Sequence, residues 1–314
     1  MLPACIKGWR LAADAFSGER KGYRRKQQYK IFLYTFLNPL FARRWFNTLY
    51  LPEHNKVVIH RPRLYVKPFR VYMSSRWDKH RKMKVILDTY HFIDTAGKAF
   101  AQIITEKGGL PLACFRLKDN TPASVVLGYD ERYRKEGELV LFFVCEQLGG
   151  VVAAASFSFE QSAANKWICR VGCVQGNKPG DENVAKTAQH LMHGLRPKSF
   201  MIFLVQEFAR QLGMEAIYGA GQSIQAFRRK HLIHIPILHT INQNYNDMWL
   251  ESGGTSEKDG WFALPLVPKR KALNEIKSHK RAIYRRRYEM MDAVSAEIFK
   301  SMQHMDCCYD LAEH

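Results

Sequence analysis

No stretch of this sequence is long and apolar enough to span a bilayer. The densest early run, residues 31–37, falls far short of the ~20 residues a span requires. Nothing near the start reads as a secretory leader, because Lys7 and Arg10 interrupt the place of its apolar core. Leu2-Pro3-Ala4-Cys5 has the outline of a lipoprotein cleavage box, but only Met1 precedes it here. Cysteine is sparse and odd in number, with seven residues at 5, 114, 145, 169, 173, 307 and 308. That spacing fits neither a disulfide framework nor paired zinc ligands, and free thiols in a reducing cytoplasm are expected. Carboxylates are few: 29 Asp and Glu stand against 48 Lys and Arg, a net charge of +19. Also missing are a G-x-S-x-G elbow, the kinase signatures, an H-E-x-x-H helix, a dinucleotide fingerprint and an aromatic RNA-recognition strand. These absences leave no reaction that the residues name by themselves.

What is present is a core and an uneven charge. Hydrophobic residues make up 46% and aromatics 12%, enough for a folded chain. Residues 1–90 carry a net +15, residues 91–268 a net +1, residues 269–287 a net +8 and residues 288–314 a net −5. A nearly neutral body between two cationic segments points to an anionic partner, a membrane surface or an anionic macromolecule, RNA included. Each segment read singly is equally a solvated face.

The organisation follows from periodicity. Residues 21–50 read as two helices broken at Asn38-Pro39, with basic and aromatic blocks alternating. Two readings stand: a helix lying in a membrane interface, or a helical hairpin packing its aromatics on the main domain. The chain looks extended from 62 to 68, and residues 78–104 have a helical apolar period. From 110 the period becomes that of strands, over 112–117, 124–127, 139–146, 151–160 and 167–174, with Gly149-Gly150 as a hairpin signal. A helix follows from 182 to 192. A second starts with Pro197 in its first turn and stops before Gly213, and a strand covers 215–218. The expected fold is α+β, a central mostly antiparallel sheet flanked by helices behind a basic helical N-terminal region. The expected divisions are 1–105, a core of 106–290 with a basic C-terminal helix, and a tail of 291–314.

The chemistry-bearing residues form no complete set. Glu160, His190, His193, Arg196 and Lys198 would line one pocket if sheet and helices packed face to face. His190 and His193 can also cap a helix C-terminus. Gln175-Gly176-Asn177-Lys178-Pro179-Gly180 lies between strand and helix, where backbone amides can cradle phosphate or simply turn in solvent. Glu160, His193 and Arg228 are the candidates for catalysis. Lys178, Arg196, Lys198, Arg228, Arg229, Lys280, Arg281, Arg285, Arg286 and Arg287 are the candidates for binding an anion. No metal site is expected. Tyr284 and Tyr288 are one helical turn apart, either a packing pair or a stacking platform for bases.

Taken together, residues 168–175, 193–198 and 280–288, with Tyr245-Asn246-Asp247-Met248-Trp249, Glu251, Gly253-Gly254 and Asp259-Gly260, resemble the VirK/YbjX family of Gram-negative bacteria. The resemblance implies a virulence-associated accessory factor in the cytoplasm or at the inner face of the cell membrane. Such a factor supports envelope biogenesis, or the production and membrane localisation of surface virulence proteins. The resemblance carries no catalytic residue. An RNA-binding post-transcriptional regulator is the alternative that the charge allows. A fainter likeness, in the order of strands, loop, helix and strand, is to the acetyltransferase fold of the GNAT superfamily, which implies acyl transfer from acyl-coenzyme A. The sequence departs from that pattern, because no Arg-x-x-Gly-x-Gly/Ala loop follows the 167–174 strand.

Overall fold

The computed structural model describes residues 3–105, 109–176, 182–226 and 244–304. It opens with a helical layer: α1 (Ala4–Ala15), α2 (Lys21–Leu37), α3 (Pro39–Leu49), α4 (Pro52–His60), α5 (Lys79–Thr95) and α6 (Lys98–Thr105). Asn38-Pro39 does break α2 from α3, with Pro39 in the first turn of the new helix. Asp78 caps α5, its carboxylate accepting the Arg81 N–H at 2.7 Å. Residues 62–68 are not extended. They belong to a 3-10 helix, Pro62–Phe69, whose three-residue turns tolerate a proline that an α-helix would not. Its Leu64, Tyr65, Val66 and Phe69 are buried.

Eight strands follow: β1 (Leu110–Arg116), β2 (Pro122–Gly128), β3 (Leu139–Cys145), β4 (Gly150–Gln161), β5 (Trp167–Gly176), β6 (Ala216–Ala220), β7 (Thr255–Ser256) and β8 (Trp261–Leu264). They form one sheet in the order β1-β2-β3-β4-β5-β6-β8-β7. Every neighbouring pair is antiparallel except β5 and β6, which the helices α7 (Glu182–Leu191) and α8 (Pro197–Gln211) connect. The fold is therefore α+β, with a mostly antiparallel sheet. A short helix α9 (Tyr245–Glu251) and the long α10 (Ser278–His304) complete it. The division drawn at 290 is not structural, since α10 runs through it unbroken.

Alternation sorts the sheet into two faces. On β4, Phe157 packs on Phe208 of α8, while Ser158 and Glu160 meet Tyr72 and Arg81 from the N-terminal layer. One hydrophobic cluster runs from Leu11 through the sheet to Met302, so the helices and the sheet share a core. At one point the sheet is bulged. Ser156 faces Cys173 and Phe157 faces Val171, which leaves Gly172 as the extra residue of β5. A Cβ there would lie 1.9 Å from the Glu136 carbonyl oxygen, so only glycine admits that approach.

Candidate membrane-facing surface

Helix α2 is turned the wrong way for a helix of a soluble core. The face it presents to the protein consists of Gln27, Gln28, Ile31 and Thr35. Its C-terminal half sends Tyr29, Leu33, Phe36 and Leu37 outward, and the first turn of α3 adds Leu40, which is 83% exposed. Close packing at Gly8 of α1 fixes this orientation, since a Cβ on that residue would fall 2.9 Å from the Thr35 hydroxyl. The outward side chains form a continuous row. Trp9 of α1 meets Tyr29 edge-on at 4.8 Å and Phe32 at 6.3 Å, and Phe32 stacks on Phe36 at 6.3 Å.

The break at Asn38-Pro39 makes this row a knuckle, with Phe36, Leu37, Pro39 and Leu40 exposed around it. Cations flank it on both sides. Lys26 and Lys30 are exposed on α2, one turn apart and in line with Leu33 and Leu37 by helical spacing. Arg43 and Arg44 are exposed on α3. No ion pair among the described residues engages these four. The hairpin reading of residues 21–50 holds for α3, whose Phe41, Trp45 and Phe46 are buried, and fails for α2. Among the described residues no helix is long and apolar enough to cross a membrane.

The other predicted residues fall elsewhere. Lys280, Arg281, Arg285 and Arg286 are exposed along the first turns of α10, a second cationic surface. Arg287 is drawn inward and donates to the His193 carbonyl at 2.9 and 3.1 Å, with its guanidinium over Tyr284. Arg196 pairs with Glu251 at 2.5 Å. Lys198 is turned toward the end of β5, its Cε near Gly176, and burial pushes its ammonium below the ordinary lysine range. Lys178, Arg228 and Arg229 lie outside the described residues, as does most of the loop 175–180. Arg196, Arg287, Lys269, Arg270 and Lys271 border an open groove of about 250 Å³ between α8 and α10.

The single pocket expected from Glu160, the two histidines, Arg196 and Lys198 does not form. Glu160 is 3% exposed on the other face of the sheet, clamped by Arg81 at 2.5 Å and Arg170 at 2.8 Å. Arg170 in turn stacks on Tyr218 and Trp261. Both carboxylate oxygens are engaged, so the group serves as a structural counter-ion. His193 terminates α7 with φ of 53°. Partial burial and the neighbouring Arg286, Lys118 and Arg287 hold its imidazole below the ordinary histidine pKa, hence neutral near pH 7. The thiols of Cys169 and Cys173 are buried, and burial pushes both pKa values up. Among the described residues no three His, Cys, Asp or Glu side chains converge on a metal position.

Strands β5 and β6 pair only from Ile168 and Ala216 to Val171 and Gly219, and part beyond. Side chains of α9 occupy the wedge. The Tyr245 hydroxyl donates to the Val174 carbonyl at 3.2 Å, and the Trp249 indole N–H donates to Ala220 O at 3.0 Å while its ring lies over Gly219. Both rings are buried and fill the space between the diverging strand ends.

These features define an α+β protein with one mostly antiparallel sheet, a cationic helical layer and an outward apolar knuckle. The chain belongs to the family described as "Protein of unknown function (DUF535)", whose match covers residues 20–300. It is 27% identical to the "Uncharacterized protein YbjX" of Escherichia coli (strain K12) over 281 residues, 88% of this chain and 83% of that protein. A protein of Haemophilus influenzae is 31% identical over 144 residues, 45% of this chain and 46% of its own length. The resemblance to the VirK/YbjX family is thus shown. Among solved structures, a mutant of a cAMP-binding acyltransferase from Mycobacterium smegmatis overlaps 72% of this chain and 65% of its own. Its TM-score is 0.31 and its identity 11%, too low to define a shared fold.

Proposed function

We propose that this protein is a peripheral protein of an anionic membrane surface and exercises its envelope-related accessory role from there. The observation that carries the reading is the α2–α3 knuckle, with apolar side chains pointing outward between two pairs of unpaired cations. Exposed apolar rows of this kind mark contact surfaces. Moving Leu33, Phe36, Leu37 and Leu40 into an acyl boundary is worth about 5 kcal/mol, allowing for their partial exposure. Each flanking cation adds about 1 kcal/mol near an anionic surface. Neither term alone gives stable attachment, and together they do. A second copy of the chain would match the apolar row but would set like charges against each other, which favours the lipid surface.

The test is flotation of the purified protein with phosphatidylcholine vesicles, with and without phosphatidylglycerol, at low and high salt. Binding to the anionic vesicles that weakens with salt supports the reading. Equal recovery in the unbound fraction with both compositions overturns it, as does a stable dimer whose formation abolishes vesicle binding.

A further inference from the structure

A second feature of the helical layer is independent of the knuckle. A cavity lies between the Pro62–Phe69 segment, α5 and the turn before β3. Its floor is buried: Arg61 is 5% exposed, Lys67 9%, Tyr90 3% and Glu138 1%. Its rim, Arg63, Arg70, Arg134 and Lys135, reaches solvent.

The floor is organised around one carboxylate. Glu138 Oε1 lies 2.5 Å from Lys67 Nζ, and Oε2 accepts the Tyr90 hydroxyl at 2.7 Å. Oε1 meets the ammonium without a hydrogen bond, and neither oxygen forms an ion pair with Arg61. Its guanidinium donates to Ile103 O at 2.7 Å and to the Tyr90 hydroxyl at 3.3 Å, and stacks 3.7 Å over the Tyr129 ring. None of those partners carries a negative charge. On the rim, Arg63 pairs with Glu19 and Glu131, and Arg134 shares Glu131 at 3.8 Å. No described carboxylate pairs with Arg70 or Lys135. Six cations thus meet three ion-paired carboxylates; a fourth acid, Glu136, lies within reach of Lys135, Arg134 and Lys67, and burial favours its neutral form.

Burying a permanently charged guanidinium without a counter-ion costs several kcal/mol, and an incoming anion would offset that cost. The inner volume is about 30 Å³, beneath an open mouth. One water needs roughly 10–15 Å³, so the inner space suits a compact oxyanion whose carrier extends out of the open mouth. Guanidinium groups present paired N–H donors that match tetrahedral oxyanions, and an excess of three positive charges favours a dianion over a carboxylate.

We propose that this cavity binds a terminal phosphate group, carried either by a lipid headgroup or by a small soluble phosphoester. Arg61 and Lys67 hold the group from below, and Arg70 and Lys135 close over it.

The probe is glycerol 3-phosphate, titrated against the full chain by calorimetry and thermal unfolding. The expected result is a saturable rise in Tm that glycerol and matched sodium chloride do not give. The variant Arg70→Ala/Lys135→Ala alters only rim residues and should keep the wild-type Tm without ligand. Its affinity should fall at least tenfold. A parallel arm compares vesicles containing phosphatidic acid with phosphatidylglycerol vesicles of equal charge. A preference for phosphatidic acid that the rim variant loses assigns the phosphate to a lipid, whereas response to the soluble ester alone assigns it to a small molecule. Absence of both responses overturns the proposal, as does a rim variant that binds like wild type. A Leu37→Ser/Leu40→Ser variant that no longer floats but still binds the soluble ester would separate this site from the membrane reading.

Discussion

The Thr89 hydroxyl of α5 serves both backbone groups of Phe159 on β4. It accepts the Phe159 N–H at 2.9 Å and lies 3.0 Å from the Phe159 carbonyl, to which it donates in alternation with Val85 O. The contact exists because β4 outlasts β3. The ladder between them ends at Leu139 and Phe157, so Phe159 has no strand neighbour on that side. Asp88 treats Gln161 in the same way, accepting its N–H at 2.9 Å. Thr89→Val keeps the shape and removes the hydroxyl, leaving buried backbone groups without a partner. Destabilisation of about 1–3 kcal/mol is expected, read as a lower urea midpoint with an unchanged slope.

Glu136 introduces a pH dependence. Burial raises its carboxyl from 4.5 to about 7, against the opposing pull of Lys135 and Arg134. The folded state therefore holds this proton more tightly than the unfolded one. Its contribution to stability is fully present at low pH and is lost as pH rises from about 4.5 to about 7. Glu136→Gln should remove that slope and raise stability at pH 8 by as much as about 3 kcal/mol. Urea unfolding at pH 5 and pH 8 checks it; equal pH slopes in both proteins would rule it out.

Glu160→Gln should be strongly destabilising, by about 3 kcal/mol, because it leaves the largely covered Arg170 guanidinium without its charge partner. Thermal unfolding reads this directly. A variant that retained the wild-type Tm would show that the clamp is not structural and would return Glu160 to the catalytic candidates.

At the knuckle, Leu37→Ser/Leu40→Ser is expected to leave Tm unchanged or slightly raised, since both residues are exposed. Vesicle partitioning should drop about tenfold or more, on about 1.4 kcal/mol per decade. Arg43→Gln/Arg44→Gln should weaken only the low-salt binding. Partitioning by either variant at the wild-type level would contradict the assigned orientation.

Local grammar made most elements legible. Asn38-Pro39 placed a helix break, Gly149-Gly150 a hairpin and Gly213 a helix stop, because each needs only nearby sterics. The Pro62–Phe69 segment reads as extended in sequence because its two prolines argue against an α-helix without distinguishing a strand from 3-10 turns. The orientation of α2 was out of reach, since a helix with Gln27, Gln28 and Thr35 on one side and Leu33, Phe36 and Leu37 on the other would ordinarily bury the latter. Glu160 looked like a lone reactive acid because its partners, Arg81 and Arg170, come from two other elements. The cavity of Arg61 and Lys67 is hidden for the same reason, because Tyr90, Tyr129 and Glu138, which complete it, lie 29 to 77 residues beyond Arg61 along the chain. A hint lay in the four cations between 61 and 70 set among apolar residues that must be buried.

Lys67, Arg81 and Thr89 all reach from the helical layer onto the sheet side, to Glu138, to Glu160 beside its strand partner Arg170, and to Phe159. A fragment beginning at β1 would therefore uncover the sheet face that the helices shield, taking Lys67 from Glu138 and opening the apolar residues around it to water. It would also show a bare stretch of strand margin ready to recruit another chain. Proteolytic nicking ahead of Leu110 should consequently lead to precipitation rather than to a smaller stable product, and attempts to trim the basic front half for solubility would achieve the opposite.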